Sequence, residues 1–331
     1  MADIEQYLNK IICGDAIGVM SGMPAASVDL LLTDPPYNIG KAAWDKIDNY
    51  LGWCGEWITE CQRVLKDNGS FYFFHNDMPT IAKLMGWIEQ NTDFVFKQLI
   101  TWNKRFDGMS NKGFMDGYVV TGGLRNYQQM AEYLLFYTFQ DETGLSRVYD
   151  NRDCFKGIKG YFIQEKERAG LKTCKDVNRI IGSTLKGGGM ATHYFNIDHT
   201  QWCLPTAEMY AKLQTTGYFQ QPYEELRLEY EELRYTFNNQ KTHHSVWDYE
   251  TVRGAQHPTQ KPEPLIANII KHSSNEGDII LDPFTGSGTT AVTCIKTGRK
   301  YIGIELSEEY CEIAEKRIAD ALAQPELAIA T

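Results

Sequence analysis

Two short stretches of this chain hold the residue types that chemistry at a planar amine needs. In Val28-Asp-Leu-Leu-Leu-Thr-Asp-Pro-Pro-Tyr-Asn38 a brief apolar run stops at Asp34, Pro35, Pro36 and Tyr37. The run reads as a buried strand and the tetrapeptide as the loop at its carboxyl end, the edge at which open α/β sheets bind ligands. Each proline fixes φ and lacks an N–H, so the corner is stiff and an internal partner for the Pro35 carbonyl is disfavoured. That carbonyl and the Asp34 carboxylate form a pair of acceptors suited to the two donors of an NH2 group. Tyr37 adds a flat face for a planar ring. A plain surface turn, in which Asp and Pro are both common, is the alternative.

The second stretch is Leu281-Asp-Pro-Phe-Thr-Gly-Ser-Gly-Thr-Thr290, which follows the strand-like Gly277–Leu281. Glycines at 286 and 288 let backbone approach a ligand closely. Nineteen residues past Gly286, Glu305 ends the strand Tyr301-Ile-Gly-Ile-Glu and is placed to take two ribose hydroxyls. Gly286-x-Gly288-x-x-Ala291 also satisfies the dinucleotide fingerprint, so an NAD-dependent oxidoreductase is the competing class. Charge argues against it. Asp282 stands before the glycines, where it would repel a pyrophosphate and attract a ligand carrying positive charge.

Together these residues resemble the DNA amino-methyltransferases, which methylate the exocyclic nitrogen of adenine or cytosine with S-adenosylmethionine. Asp34 to Tyr37 match the family's (Asp/Asn/Ser)-Pro-Pro-(Tyr/Phe/Trp) motif, and 281–290 resemble its cofactor loop. The catalytic motif comes first, with a long insert between, as in the permuted β group. The resemblance covers about residues 8–140 and 246–318. It implies a Rossmann-like α/β sheet of seven strands, with Asp34, Pro35, Pro36 and Tyr37 as the catalytic set. By the same resemblance the cofactor is held by Asp15, Ala16, Lys261, Pro262, Asp282, Phe284, Gly286, Ser287, Gly288, Thr289, Thr290 and Glu305. For Asp15, an N-cap of the helix running to Met20 is the other reading. Lys261 and Pro262, in His257-Pro-Thr-Gln-Lys-Pro262, would lie beside the cofactor's methionine end. Asp at the first motif position leans towards adenine N6, since cytosine-N4 enzymes more often carry Ser there.

Composition sets the frame for these motifs. With 331 residues, 43% of them hydrophobic, the chain can bury a substantial core and hold one large domain plus an insert. No stretch is long and apolar enough to span a bilayer, and the start lacks a secretory pattern, so a cytoplasmic location is expected. Eight cysteines, at 13, 54, 61, 154, 174, 203, 294 and 311, contain no Cys-x-x-Cys pair. They read as reduced, mostly buried thiols without a zinc site. Net charge is −10, but phosphate binding needs only one basic face. Between Arg152 and Lys186 nine Lys and Arg stand against four Asp and Glu, which fits such a face.

The elements that must carry the motifs follow in order. Strands are expected at 10–12, 28–33, 70–74, 94–102, 133–139, 278–281 and 300–304. A helix over Tyr50–Leu65 stops at the polar Lys66-Asp-Asn-Gly69, and another runs from Glu263 to His272. Between Lys104 and Arg125 a glycine-rich segment interleaves Lys104, Arg105, Lys112 and Arg125 with Phe106, Phe114 and Tyr118. It suits a loop closing over unstacked nucleotides, or a flexible surface loop.

The insert, 141–245, divides the catalytic domain into 1–140, with the target-base corner, and 246–331, with the cofactor loop. Thr173–Asp176 reads as a capping box opening a helix that stops at Gly182. A triple-glycine turn, a short helix over Met190–Asn196 and a helix over Trp202–Leu213 follow. The order resembles the helix-turn-helix module of repressors. On that reading Thr192, His193 and Tyr194 meet base edges, while Lys175, Arg179 and Lys186 meet phosphates; a helical subdomain packed on the core is the alternative. The apolar stripe Tyr223, Leu226, Tyr230 and Leu233 is read as intramolecular packing before a dimer seam, leaving a homodimer open. His243 and His244 are assigned no metal.

The expected activity is methyl transfer from S-adenosylmethionine to adenine N6 of a base flipped out of double-stranded DNA, in the setting of restriction–modification. Cytosine N4 is the alternative target. A non-catalytic DNA-binding protein is the alternative class, although it would have no reason to keep both motifs.

Overall fold

The computed structural model describes residues 3–40, 45–110, 127, 129–139, 155–184, 188–196, 202–233, 236–238, 244–254 and 259–323. The chain divides into two compact units: Met1–Phe139 with Thr236–Thr331, and Gln140–Tyr235.

The first unit is built on one mixed sheet. Its strands are β1 (Lys10–Cys13), β2 (Val28–Thr33), β3 (Leu65–His75), β4 (Val95–Asn103), β5 (Ala131–Thr138), β6 (Val246–Asp248), β7 (Ile279–Asp282) and β8 (Lys300–Glu305). They lie in the order β1-β8-β7-β2-β3-β5-β4-β6. β5 runs antiparallel to β3 and β4, and the remaining neighbours are parallel. The expected seven strands are all present. The eighth, β6, spans only three residues and pairs with the sheet edge at β4, too short for a period of two to show in the sequence.

Helices of this unit are α1 (Ala16–Ser21), α2 (Tyr50–Val64), α3 (Met78–Asn91), α9 (Glu263–Ser273), α10 (Thr289–Lys296) and α11 (Glu308–Ala323). β3 begins at Leu65, directly after α2, so Lys66–Gly69 is not a loop ahead of the strand as expected. It is absorbed at an irregularity in the β2–β3 register between Val28 and Leu30. A β-bulge accommodates polar residues that a regular strand would not. Aromatic packing then ties the loop after β7 to the core: Trp57 of α2 meets the rings of Phe71, Phe73 and Phe284 edge-on, the last at 5.5 Å.

The thiol expectation needs one correction. Cys13, at the end of β1, and Cys311, on α11, form a disulfide, while Cys54, Cys61, Cys174, Cys203 and Cys294 are free. Their separation of 298 residues gives no spacing signal, and only the return of α11 against β1 brings them together.

The second unit has its own core, in which Phe162, Tyr210 and Phe219 pack with Val177, Leu213 and Leu226. Its helices are α4 (Lys156–Arg168), α5 (Cys174–Ile181), α6 (Ala191–Phe195), α7 (Ala207–Gln214) and α8 (Tyr223–Leu233). The Thr173–Asp176 capping box opens α5, and Gly182 closes it in the left-handed region at φ 75°. Fully buried Asn178 accepts from Ala191 N at 2.9 Å and donates to the Gly188 carbonyl, bracing the turn between α5 and α6. Helix α7 begins at Ala207, capped by Thr206, so Trp202 to Pro205, expected within the helix, stand ahead of it. Leu226, Tyr223, Tyr230 and Leu233 of α8 face this unit's own core.

Among the described residues no helix is long and apolar enough to cross a membrane, and no group of three His, Cys, Asp or Glu could hold a metal ion.

Candidate active site

β2 and β7 lie side by side in parallel, with Leu30 beside Ile280 and Leu31 beside Leu281. From β2 the chain proceeds to β3 on one side, and from β7 to β8 on the other. The crevice above β2 and β7 is therefore a topological switch point, where open α/β sheets bind ligands. Thr33 Oγ1 at the end of β2 donates to Asp282 Oδ1 at the end of β7 over 2.8 Å. A cavity of about 410 Å³ opens there, lined by Asp15, Ala16, Asp34, Pro35, Pro36, Tyr37, Lys261, Asp282, Phe284, Gly286, Ser287, Thr289, Thr290 and Glu305.

Two of the expected cofactor residues do not line it. Pro262 precedes α9 as its cap residue, and Gly288 caps α10 at φ 77°. A Cβ on Gly288 would lie 2.9 Å from the Ala314 Cβ, so this glycine permits the close approach of α10 and α11.

The side of the cavity formed by the 282–290 loop is acidic. Asp282 accepts from Thr33 and from Thr290 at 2.6 Å, and from Phe284 N at 3.2 Å. Burial nevertheless lifts its carboxyl to about 6. Glu305 accepts from Gly286 N and from Ser307 N, both at 2.9 Å, and burial raises its pKa. Asp15 caps α1 through Gly18 N at 2.7 Å while facing the same cavity, so its two sequence readings are compatible. Arg317, which carried no sequence signal, reaches from α11 to the Ser287 carbonyl and Thr289 Oγ1 and fixes the loop.

The Asp34–Tyr37 corner lines the same cavity. Among the described residues the Pro35 carbonyl accepts no hydrogen bond, whereas Tyr50 occupies the Pro36 carbonyl at 2.7 Å. His75, lowered to about 4 by burial and therefore neutral, accepts at Nδ1 from Asp77 N. Its Nε2–H is left facing the Tyr50 hydroxyl at 3.1 Å, and its ring lies 4.7 Å from that of Tyr37. Tyr37 is 8% exposed and donates its hydroxyl to Asp34 Oδ1.

Lys261 donates to Asp34 Oδ2 and lies 3.3 Å from Glu132, whose carboxylate also takes the ammonium of Lys104. Burial works to deprotonate Lys261, but the two carboxylates outweigh it and its pKa is raised. Glu132, His75 and Tyr50 were missed from the sequence. The only available signal was a carboxylate at the start of the otherwise apolar β5.

The residues expected to meet DNA separate into groups. Lys175 and Arg179 are exposed on α5. Thr192 and His193 are partly buried, as is Arg105. Two expectations are corrected. Tyr194 is 2% exposed and donates its hydroxyl to Met209 Sδ, so it is core and cannot reach a base edge. The Lys104 ammonium turns inward to Glu132 because a buried carboxylate requires a countercharge. Lys186, and in the glycine-rich segment Lys112, Phe114, Tyr118 and Arg125, lie outside the described residues, as do His257 and His243.

An open α/β sheet that brings the Asp34–Tyr37 corner and the acidic 282–290 loop to one switch point has the make-up of a methyltransferase. Residues 28–316 match the model of the DNA methylase family for N6 and N4 positions, and the chain belongs to this family of S-adenosylmethionine-dependent DNA methyltransferases. It is 32% identical over 321 residues to the DNA adenine methyltransferase YhdJ of Escherichia coli strain K12, covering 93% of this chain and 82% of that protein. It is 29% identical over 314 residues to the type II methyltransferase M.HpaI of Haemophilus parainfluenzae, covering 93% and 74%. Among solved structures, PvuII DNA methyltransferase (cytosine-N4-specific) matches with a TM-score of 0.52 at 13% identity, covering 94% of this chain and 90% of that one. An M1.HpyAVI–SAM complex matches with a TM-score of 0.50 at 21% identity, covering 93% and 98%. These two likenesses concern the fold.

Proposed function

We propose that this enzyme methylates adenine N6 in duplex DNA, with Asp34 and the Pro35 carbonyl accepting the two hydrogens of the target amine. The observation that carries the reading is that these acceptors face the same cavity as Asp282 and Glu305. The residues fit S-adenosylmethionine: Asp15, Asp282 and Glu305 suit its positive charges and ribose hydroxyls, and repel a pyrophosphate. When bound, the cofactor supplies an electrophilic methyl group.

The chain supplies the geometry. An aromatic amine is a poor nucleophile because its lone pair is delocalised into the ring. Hydrogen bonds to Asp34 and Pro35 favour a pyramidal nitrogen and aim the lone pair at the methyl. Methylation makes the nitrogen acidic, so Asp34 can take its proton late without being a strong base beforehand. Tyr37 holds the base, flipped out of the helix, by stacking. The second unit reads DNA, with Lys175 and Arg179 of α5 on phosphates.

Asp at the first motif position supports adenine, as does the 32% identity to a protein named a DNA adenine methyltransferase. The test is expression in a methylation-free host followed by sequencing of modified bases. N6-methyladenine at one recurring sequence is expected. N4-methylcytosine would overturn the base, and unmodified DNA from folded protein would overturn the whole reading.

A further inference from the structure

We propose that Glu132 is a positioning residue for methyl transfer, which divides the Lys261 ammonium with Asp34 and thereby sets how freely Asp34 accepts hydrogen from the target amine. The inference rests on the reading of Asp34 as that acceptor.

A carboxylate in the body of a sheet is costly unless it is paired. Glu132 is 5% exposed and does not line the cavity, so it touches neither DNA nor cofactor from where it stands. Its partners among the described residues are Lys104, Lys261 at 3.3 Å and the Tyr37 hydroxyl at 3.5 Å. Lys261 is 6% exposed, with its ammonium 5.1 Å from the ring centre of Phe74, 5.6 Å from that of Tyr37 and 6.0 Å from that of Trp102. So deeply buried, that ammonium is shared between Asp34 and Glu132.

Lys104, Glu132, Lys261 and Asp34 thus form a row of alternating charge that ends on the amine acceptor. Asp34 already accepts from Tyr37 on one oxygen and from Lys261 on the other. A carboxylate has acceptor capacity beyond these two, so the target amine has room. Each stronger donor weakens the next bond the carboxylate can make, and a Lys261 undivided by Glu132 is the stronger donor. The titratable groups around Lys261 are Asp34 and Tyr37 from the loop after β2 and Glu132 from β5. One contact further are Lys104 beyond β4, His75 on β3 and Asp282 on β7.

The experiment is single-turnover methylation of pre-bound duplex DNA by the full chain between pH 6 and pH 10. Glu132→Gln should lower the rate roughly 10- to 100-fold, as loss of a charged hydrogen-bond partner does, with Kd for DNA and cofactor within about twofold of the parent. Its rate should also recover towards the parent at alkaline pH, where the parent is level, because Lys261 has lost one of the carboxylates that keep it protonated and on losing its proton releases Asp34. Glu132→Asp, which keeps the charge, should recover most of the rate. Lys104→Gln provides a second route: it leaves Glu132 with only Lys261, so the rate should hold or rise. A folded Glu132→Gln with parental rate and pH profile would overturn the proposal, and so would a tenfold loss in Lys104→Gln with DNA affinity unchanged. Activity retained in Asp34→Ala would instead sink the acceptor reading beneath it.

Discussion

Lys261 and Asp34, 227 positions apart in the chain, form an ion pair in which the lysine side chain is almost wholly buried. Removing one partner of such a pair strands the other in a medium that cannot solvate it. Lys261→Met should therefore cost about 3–5 kcal/mol of stability in chemical denaturation. Adding Asp34→Ala to it should cost less than the sum of the single changes, which a double-mutant cycle reads directly. Asp34→Ala alone should lower the methylation rate by at least roughly 100-fold.

The buried Asp282 makes a pH prediction with a definite sign. Its carboxyl lies near 6 when folded against 3.8 for the unfolded reference, so the folded chain holds the proton more tightly. Its contribution to stability is present below about pH 4 and is lost as pH rises to about 6, amounting to roughly 3 kcal/mol without cofactor. S-adenosylmethionine, being cationic at sulfur, should bind more tightly as pH rises through about 6. Calorimetric titration at pH 5 and pH 7.5 measures this, and Asp282→Asn should flatten the trend.

Glu305 is expected to exchange backbone partners for ribose hydroxyls. Glu305→Ala should raise the Kd for S-adenosylmethionine roughly 10- to 100-fold, the loss of one or two charged hydrogen bonds. The parent enzyme should bind NAD no better than the variant does.

Gly288 is a packing prediction at the edge of the site. Gly288→Val places a branched side chain in the left-handed region and drives it into Ala314. Backbone strain alone costs about 1–2 kcal/mol, so thermal unfolding should come at least about 2 °C earlier. Cofactor affinity should weaken with it, because α10 can no longer close on α11.

On the second unit, Lys175→Ala with Arg179→Ala should reduce the salt dependence of DNA binding by about 0.9 per lost phosphate contact, measured as the slope of log K against log salt. Tyr194→Phe removes a hydroxyl from the core and should leave the methylated sequence unchanged.

Legibility differed between the halves of the site. The strand positions were readable because parallel strands buried on both faces write themselves as apolar runs, as in Val28–Thr33, where every residue but Asp29 is buried, and in Ile279–Leu281. Asp34, Asp282 and Glu305 stood out as carboxylates at the ends of such runs. Lys104 and Tyr194 misled for one shared reason. A basic or aromatic residue beside polar neighbours looks solvent-facing, yet a buried acid drew one inward and an aromatic core took the other. Glu132 was unreadable because nothing within its own strand names its partners.

By itself the sequence determined the local parts: stiff prolines after an apolar strand, glycines where backbone must come close, and acids rather than bases before the ligand loop. These follow from φ restriction, steric size and charge, which act within a few residues. The pairing of β2 with β7, the charge row from Lys104 to Asp34 and the meeting of Cys13 with Cys311 were decided only by tertiary structure. Each joins groups that no local rule relates, and burial, which governs what their charges are worth, exists only once the chain has folded.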